Sequence, residues 1–231
     1  MIRLALVIFL AAVRVQHADG QSAPQSIPRT LISHEFTESN QGWRLTTDTG
    51  SADADYAAAG GDPGGRIAGR DEEIGETWYF RAPLAVLRHL PAAENGVISF
   101  SLRQSTDVDG GFLDDDVVII GGSGRLGYRF GRGSAPGTAW ARFSVRLSAS
   151  AGWTWNGRGP ATQAQLRSVL ASPLSLEIRG EYSTGPDEGF LDNFELQRRE
   201  PSARHTCVSL ASADRCARSR GSPRALAHRA A

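Results

Sequence analysis

Between residues 34 and 199 the chain is built from short apolar runs, many of period two, cut by Gly, Pro, Asp and Asn. Side chains alternate between faces along a strand, so apolar–polar alternation marks a strand with one buried face. Val97-Ile98-Ser99-Phe100-Ser101-Leu102 reads this way and sends Val97 or Ile98, with Phe100 and Leu102, toward a core. Phe143-Ser144-Val145-Arg146-Leu147 repeats the rhythm, and residues 174–182 form the clearest amphipathic strand. Trp78-Tyr79-Phe80 and residues 190–196 add two more, whereas Val117-Val118-Ile119-Ile120 is continuously β-branched and predicts a strand covered on both faces.

Two stretches have helical character. Residues 83–90 open with Pro83, which suits a first helical turn, and residues 162–171 start at a Thr162 cap with Leu166, Val169 and Leu170 on one face. Two short helices among many strands cannot build βαβ units. The expected fold class is all-β: an antiparallel β-sandwich of the jelly-roll kind carrying one or two short helices.

The ends of the chain differ from this middle. Arg3 precedes an apolar run over residues 4–13, too short to cross a bilayer, and small residues follow over 18–23. This predicts a signal peptide over residues 1–23, export, and an extracellular or cell-surface location, with no membrane span elsewhere. Residues 24–33 read as a linker into one domain over residues 34–199. Beyond Arg199 six arginines (Arg204, Arg215, Arg218, Arg220, Arg224 and Arg229) face only Glu200 and Asp214, and no aromatic residue appears. Residues 200–231 are therefore expected to be a basic, disordered tail. Both cysteines, Cys207 and Cys216, fall in it, so the core needs no disulfide.

Charge narrows the partners. With 25 basic against 25 acidic residues the net charge is zero, which offers no electrostatic case for nucleic acid or an anionic membrane. Gly122-Ser123-Gly124-Arg125-Leu126-Gly127 matches G-x-G-x-x-G, but a strand-like segment follows it where a dinucleotide site needs a helix N-terminus. A hairpin turn is the better account. His34, His89, His205 and His228 lack zinc-ligand spacing, and no serine lies in G-x-S-x-G.

Two features keep chemistry open. Asp114-Asp115-Asp116, with Asp107 and Asp109, forms an acidic loop that reads as solvated, with a metal-binding loop as its rival. A glycan-active hydrolase could use it, although consecutive carboxylates do not flank a substrate from two sides. Trp43, Trp78 and Trp140 sit in apolar patterns and read as core, while Trp155, beside Asn156-Gly157, is the candidate exposed ring for stacking a sugar.

From Glu76 to Gln197 the chain resembles a laminin IV type A (laminin B) domain. The matching stretches are Trp78-Tyr79-Phe80-Arg81-Ala82-Pro83, residues 96–104, Asp116-Val117-Val118-Ile119-Ile120-Gly121-Gly122 and Ser168-Val169-Leu170-Ala171. Leu176-Glu177-Ile178-Arg179-Gly180-Glu181-Tyr182 and Gly189-Phe190-Leu191-Asp192-Asn193 complete the series. Upstream, Glu35-Phe36, Gly42-Trp43 and Gly60-Gly61-Asp62-Pro63-Gly64-Gly65 resemble the lead-in of secreted bacterial members. The resemblance implies a galactose-binding-like jelly roll and a non-enzymatic extracellular binding or adhesion module. Glycan or matrix polymer is the expected partner, and a purely structural coat component is the alternative. Jelly rolls of this kind often hold a structural calcium ion where the first and last strands meet. Glu35, Glu38, Asp71 and Asp192 are the carboxylates expected at that corner. The Cys-rich repeats that flank the domain in laminins are missing, so network assembly is not implied.

Overall fold

A computed structural model describes residues 27–47, 50–70, 77–108, 113–131, 133–183 and 188–199. The predicted signal peptide and basic tail, with Cys207 and Cys216, lie outside the described residues.

The first half contributes β1 (Pro28–His34), β2 (Arg44–Thr47), β3 (Gly50–Asp53), β4 (Asp55–Ala57), β5 (Arg66–Arg70), β6 (Tyr79–Arg81), a helical turn α1 (Leu84–Leu87) and β7 (Val97–Gln104). The second half contributes β8 (Val117–Gly121), β9 (Gly124–Tyr128), β10 (Ala141–Arg146), β11 (Thr154–Trp155), β12 (Gly159–Pro160), α2 (Gln163–Ala171), β13 (Pro173–Arg179) and β14 (Glu188–Arg199). They form two sheets. The first runs β10-β7-β14-β5-β4, with β1 also on β14; the second runs β12-β11-β9-β8-β13-β6-β2-β3. Neighbouring strands are antiparallel throughout, giving the expected jelly-roll sandwich.

Register follows the apolar pattern. In the second sheet Leu45, Phe80, Ile178 and Val117 stand in one cross-strand row, and Leu176, Ile119 and Leu126 in the next. All seven are buried in the core. In the first sheet Ile98, Phe100 and Leu102 of β7 face them, with Leu191, Phe194 and Leu196 of β14. The polar alternates Ser99, Ser101 and Arg103 therefore lie on the opposite, outer face.

Local chemistry fixes the connections. Gly121 pairs with Gly124 across Gly122-Ser123, so the G-x-G-x-x-G segment is the β8–β9 hairpin. The Thr162 hydroxyl oxygen accepts from the Gln165 N–H and Gln165 Oε1 accepts from the Thr162 N–H, a capping box that starts α2. Residues 28–33, expected as linker, are strand: β1 pairs with the last part of β14, from Pro28 opposite Arg199 to His34 opposite Phe194.

Two packing motifs join the sheets. The rings of His34, Phe36, Trp43 and Phe194 cluster with centroids 5.0–6.3 Å apart, and the Trp43 indole N–H donates to His34 Nδ1 at 2.7 Å. The Trp78 indole lies on bare backbone, because a Cβ on Gly180 would come within 1.9 Å of Cζ3 and one on Gly69 within 2.5 Å. Glycine is required there by space.

The outer face of the first sheet

β14 carries the geometry that matters. Its first part pairs with β5 through Gly189, Phe190 and Leu191, and its last part pairs with β1. Between them the register against β7 shifts after Asp192, and Asn193 takes φ of 50°. This bulge breaks the edge that β5 and β1 would otherwise share.

The loop over residues 60–65 fills the break. The Asp62 N–H donates to Asp192 Oδ2 at 2.6 Å, and the Asn193 N–H donates to Oδ1 at 2.6 Å. Asn193 Nδ2 returns a bond to the Asp62 carbonyl, and Ser101 Oγ donates to Asp62 Oδ2 at 3.0 Å. Gly65 fits because a Cβ there would meet the Phe36 carbonyl at 1.8 Å. Burial, then repulsion from Asp62 and Glu35, raises the Asp192 carboxyl above its usual range, while the two backbone donors partly oppose this.

Of the four carboxylates expected at a calcium site, Asp192 is fully buried, and Glu35 follows β1 close enough to act on its charge. Glu38 is exposed, and Asp71 lies outside the described residues. Asp62 joins this corner unanticipated. The donors are hard oxygens of the type calcium takes. Among the described residues, however, no three His, Cys, Asp or Glu side chains converge as a ligand set.

On the same face, one step along β14, Phe190 is 4% exposed yet belongs to no part of the sandwich core. Ala68 of β5 and Arg103 of β7 stand directly opposite it. The small Ala68 leaves room for Arg66, two residues away on the same face. The Arg66 guanidinium sits 4.1 Å from the Phe190 centroid and that of Arg103 sits 4.3 Å from it. Trp140 meets Phe190 edge-on at 6.5 Å, with Arg103 5.4 Å from its own ring. Its indole N–H donates to the Gly60 carbonyl at 3.3 Å. Trp140, expected in the core, is half-buried here instead, because it follows a Pro-Gly loop that returns over the outer face.

Further along this face Thr30, Ser33, Glu35, Arg142, Asn193 and Glu195 line a polar groove of ≈ 250 Å³. Arg142 pairs with Glu195 at 3.6 Å. Both helices pack on strands of the second sheet.

The other sequence candidates take quieter positions. Trp155 on β11 is half-buried, with its ring against Gly124 and the core. Asp107 is exposed and Asp109 lies outside the described residues, but Asp114, Asp115 and Asp116 are not free in solvent. Asp115 accepts from Arg125 at 2.6 Å and from Arg129 at 3.0 Å, and Asp114 accepts from Thr77 at 2.6 Å. Asp116 accepts from the Phe130 N–H at 2.7 Å and lies 3.7 Å from the buried Arg179. Burial raises the Asp116 carboxyl. Each of the three acids thus has a partner that ties β8 to its neighbours, and the loop acts as a structural clamp.

The family model for Laminin B (Domain IV) matches residues 79–213, more than half of the chain. The chain belongs to this family. The L4b domain of human laminin alpha-2 superposes on 77% of this laminin B chain and on 100% of that domain, with a TM-score of 0.58 at 11% identity. The CBM22-1 xylan-binding domain of Paenibacillus barcinonensis Xyn10C covers 76% of this chain and 97% of its own at a TM-score of 0.43 and 16% identity. The family 11 carbohydrate-binding module of Clostridium thermocellum Lic26A-Cel5E covers 74% and 95% at a TM-score of 0.45 and 10% identity. No curated protein matches the sequence. Among the described residues no helix is long and apolar enough to cross a membrane.

Proposed function

We propose that this laminin B domain is an extracellular, non-catalytic binding module whose ligand is a glycan or glycan-bearing matrix polymer, taken on the outer face of the first sheet. The observation that carries this reading is Phe190, an aromatic ring buried outside the core beneath Arg66, Arg103 and the half-exposed Trp140. Aromatic rings offer flat apolar area to the C–H face of a sugar, and the guanidinium forks and groove hydroxyls offer directed hydrogen bonds. The partnered state of Asp114, Asp115 and Asp116 supports binding over hydrolysis, since no pair of them stands across a cleft.

A structural calcium ion beside Asp192 belongs to the same reading. It would offset the repulsion among Asp192, Asp62 and Glu35 and hold the 60–65 loop that receives the Trp140 indole. The test of binding is affinity electrophoresis of the full chain through gels cast with extracellular polysaccharides, beside Trp140→Ala. Retardation by at least one polymer, weakened in the variant, supports the reading; no retardation by any overturns it.

A further inference from the structure

The arginine pair on Phe190 says more about the ligand than the aromatic rings do. Two guanidinium groups lie over one phenyl ring, at 4.1 and 4.3 Å from its centroid. Arginines are always charged, so the pair is mutually repulsive. Neither has an ion pair or hydrogen bond to an acid among the described residues; the nearby Glu188 is engaged by Arg70 at 4.0 Å. The Nε of each is buried without an acceptor. Arg66 is held below the ordinary arginine range by burial first, with Glu188 opposing and Arg103 adding to the shift.

Elsewhere on this domain, buried or close-set arginines meet carboxylates: Arg125 and Arg129 both on Asp115, and the buried Arg179 near Asp116. The Arg66–Arg103 pair instead meets an aromatic ring, with no carboxylate bonded to either guanidinium among the described residues. Covering Phe190 would account for one aliphatic stem over the ring, but not for two charged heads converging on it.

Resting on the binding reading above, we infer that Arg66 and Arg103 form an anion subsite, so that the ligand is an acidic glycan. Its carboxylate or sulfate group is taken by these guanidiniums while an adjacent sugar ring lies against Trp140. A forked guanidinium matches either anion in a bidentate manner, and the Phe190 ring holds both forks in place before the ligand arrives. Binding therefore weakens as salt rises.

The experiment measures affinity of the full chain for polygalacturonate, for heparin and for neutral dextran and xylan, with Arg66→Gln, Arg103→Gln and, on the second sheet, Arg44→Gln as control. The expected result is binding to a polyanion that drops roughly tenfold or more in each of the first two variants and holds in the third. Polygalacturonate and heparin separate a carboxylate from a sulfate ligand. As a check independent of variant folding, the bound polyanion should shield Arg66 and Arg103 of the wild-type chain from an arginine-modifying glyoxal, read by mass spectrometry. Binding confined to neutral polymers overturns the anion subsite and leaves the binding function standing. Polyanion binding with neither variant effect nor shielding also overturns it, and no binding to any polymer removes both.

Discussion

The indole Nε1–H of Trp43 donates to Nδ1 of His34 at 2.7 Å, inside an aromatic cluster from which water is excluded. The acceptor must be unprotonated, and burial holds the His34 pKa below its ordinary 6.5. The unfolded chain therefore takes up a proton that the folded chain refuses. Stability from this site is complete above about pH 6.5 and is lost as pH falls toward the lower folded value. Urea melts over about pH 8 to 5 should show this loss, and His34→Asn, whose Oδ1 can replace Nδ1, should flatten it. Equal slopes in both proteins would contradict the assignment.

Asp192 receives two backbone N–H groups, so Asp192→Ala orphans both donors and frees the 60–65 loop. The expected loss is about 2–4 kcal/mol. If calcium shares this corner, chelator lowers the melting temperature of the wild-type chain and millimolar calcium restores it, while the variant responds to neither. A wild-type melt indifferent to chelator removes the ion and leaves Asp192 as a loop clamp.

Gly180→Ala places a methyl 1.9 Å from Trp78 Cζ3 and forces the indole or the β13 end to move. Overpacking of this severity is expected to cost about 3 kcal/mol or more. Gly122→Ala, where no atom lies within 4 Å, is the matched control and should melt within about 1 kcal/mol of wild type.

Thr162→Ala removes the side-chain acceptor of the α2 capping box. The expected loss is about 1 kcal/mol, read from denaturant midpoints, with the proposed binding face unaffected because α2 packs on the second sheet. A loss of affinity in this variant would show that the binding face is not confined to the first sheet.

Alternation exposed the fold because these strands turn an apolar face inward: the core residues of β7, β10 and β13 are the ones read from period two. The Thr162 cap and the β8–β9 hairpin were legible because their partners are three residues apart or fewer. β1 was not, since its exposed start at Pro28 lies on β14 beyond the 60–65 loop and shows little alternation. The acidic loop misled for a different reason. Asp115 and Asp116 look solvated until Arg125, Arg129 and Arg179 are brought to them by strand pairing. Likewise Arg66, Arg103, Trp140 and Phe190 come from four separate segments, and only the outward register of Arg103 could be anticipated from β7.

Binding without turnover is the central claim, and one assay addresses it directly. The full chain is incubated with the polysaccharide that retards it most, and bound protein and new reducing ends are measured in the same samples over time. The account predicts saturable binding with reducing ends that stay at the level of polymer alone. Reducing ends that accumulate in proportion to protein, and that disappear with Asp116→Asn, would contradict it.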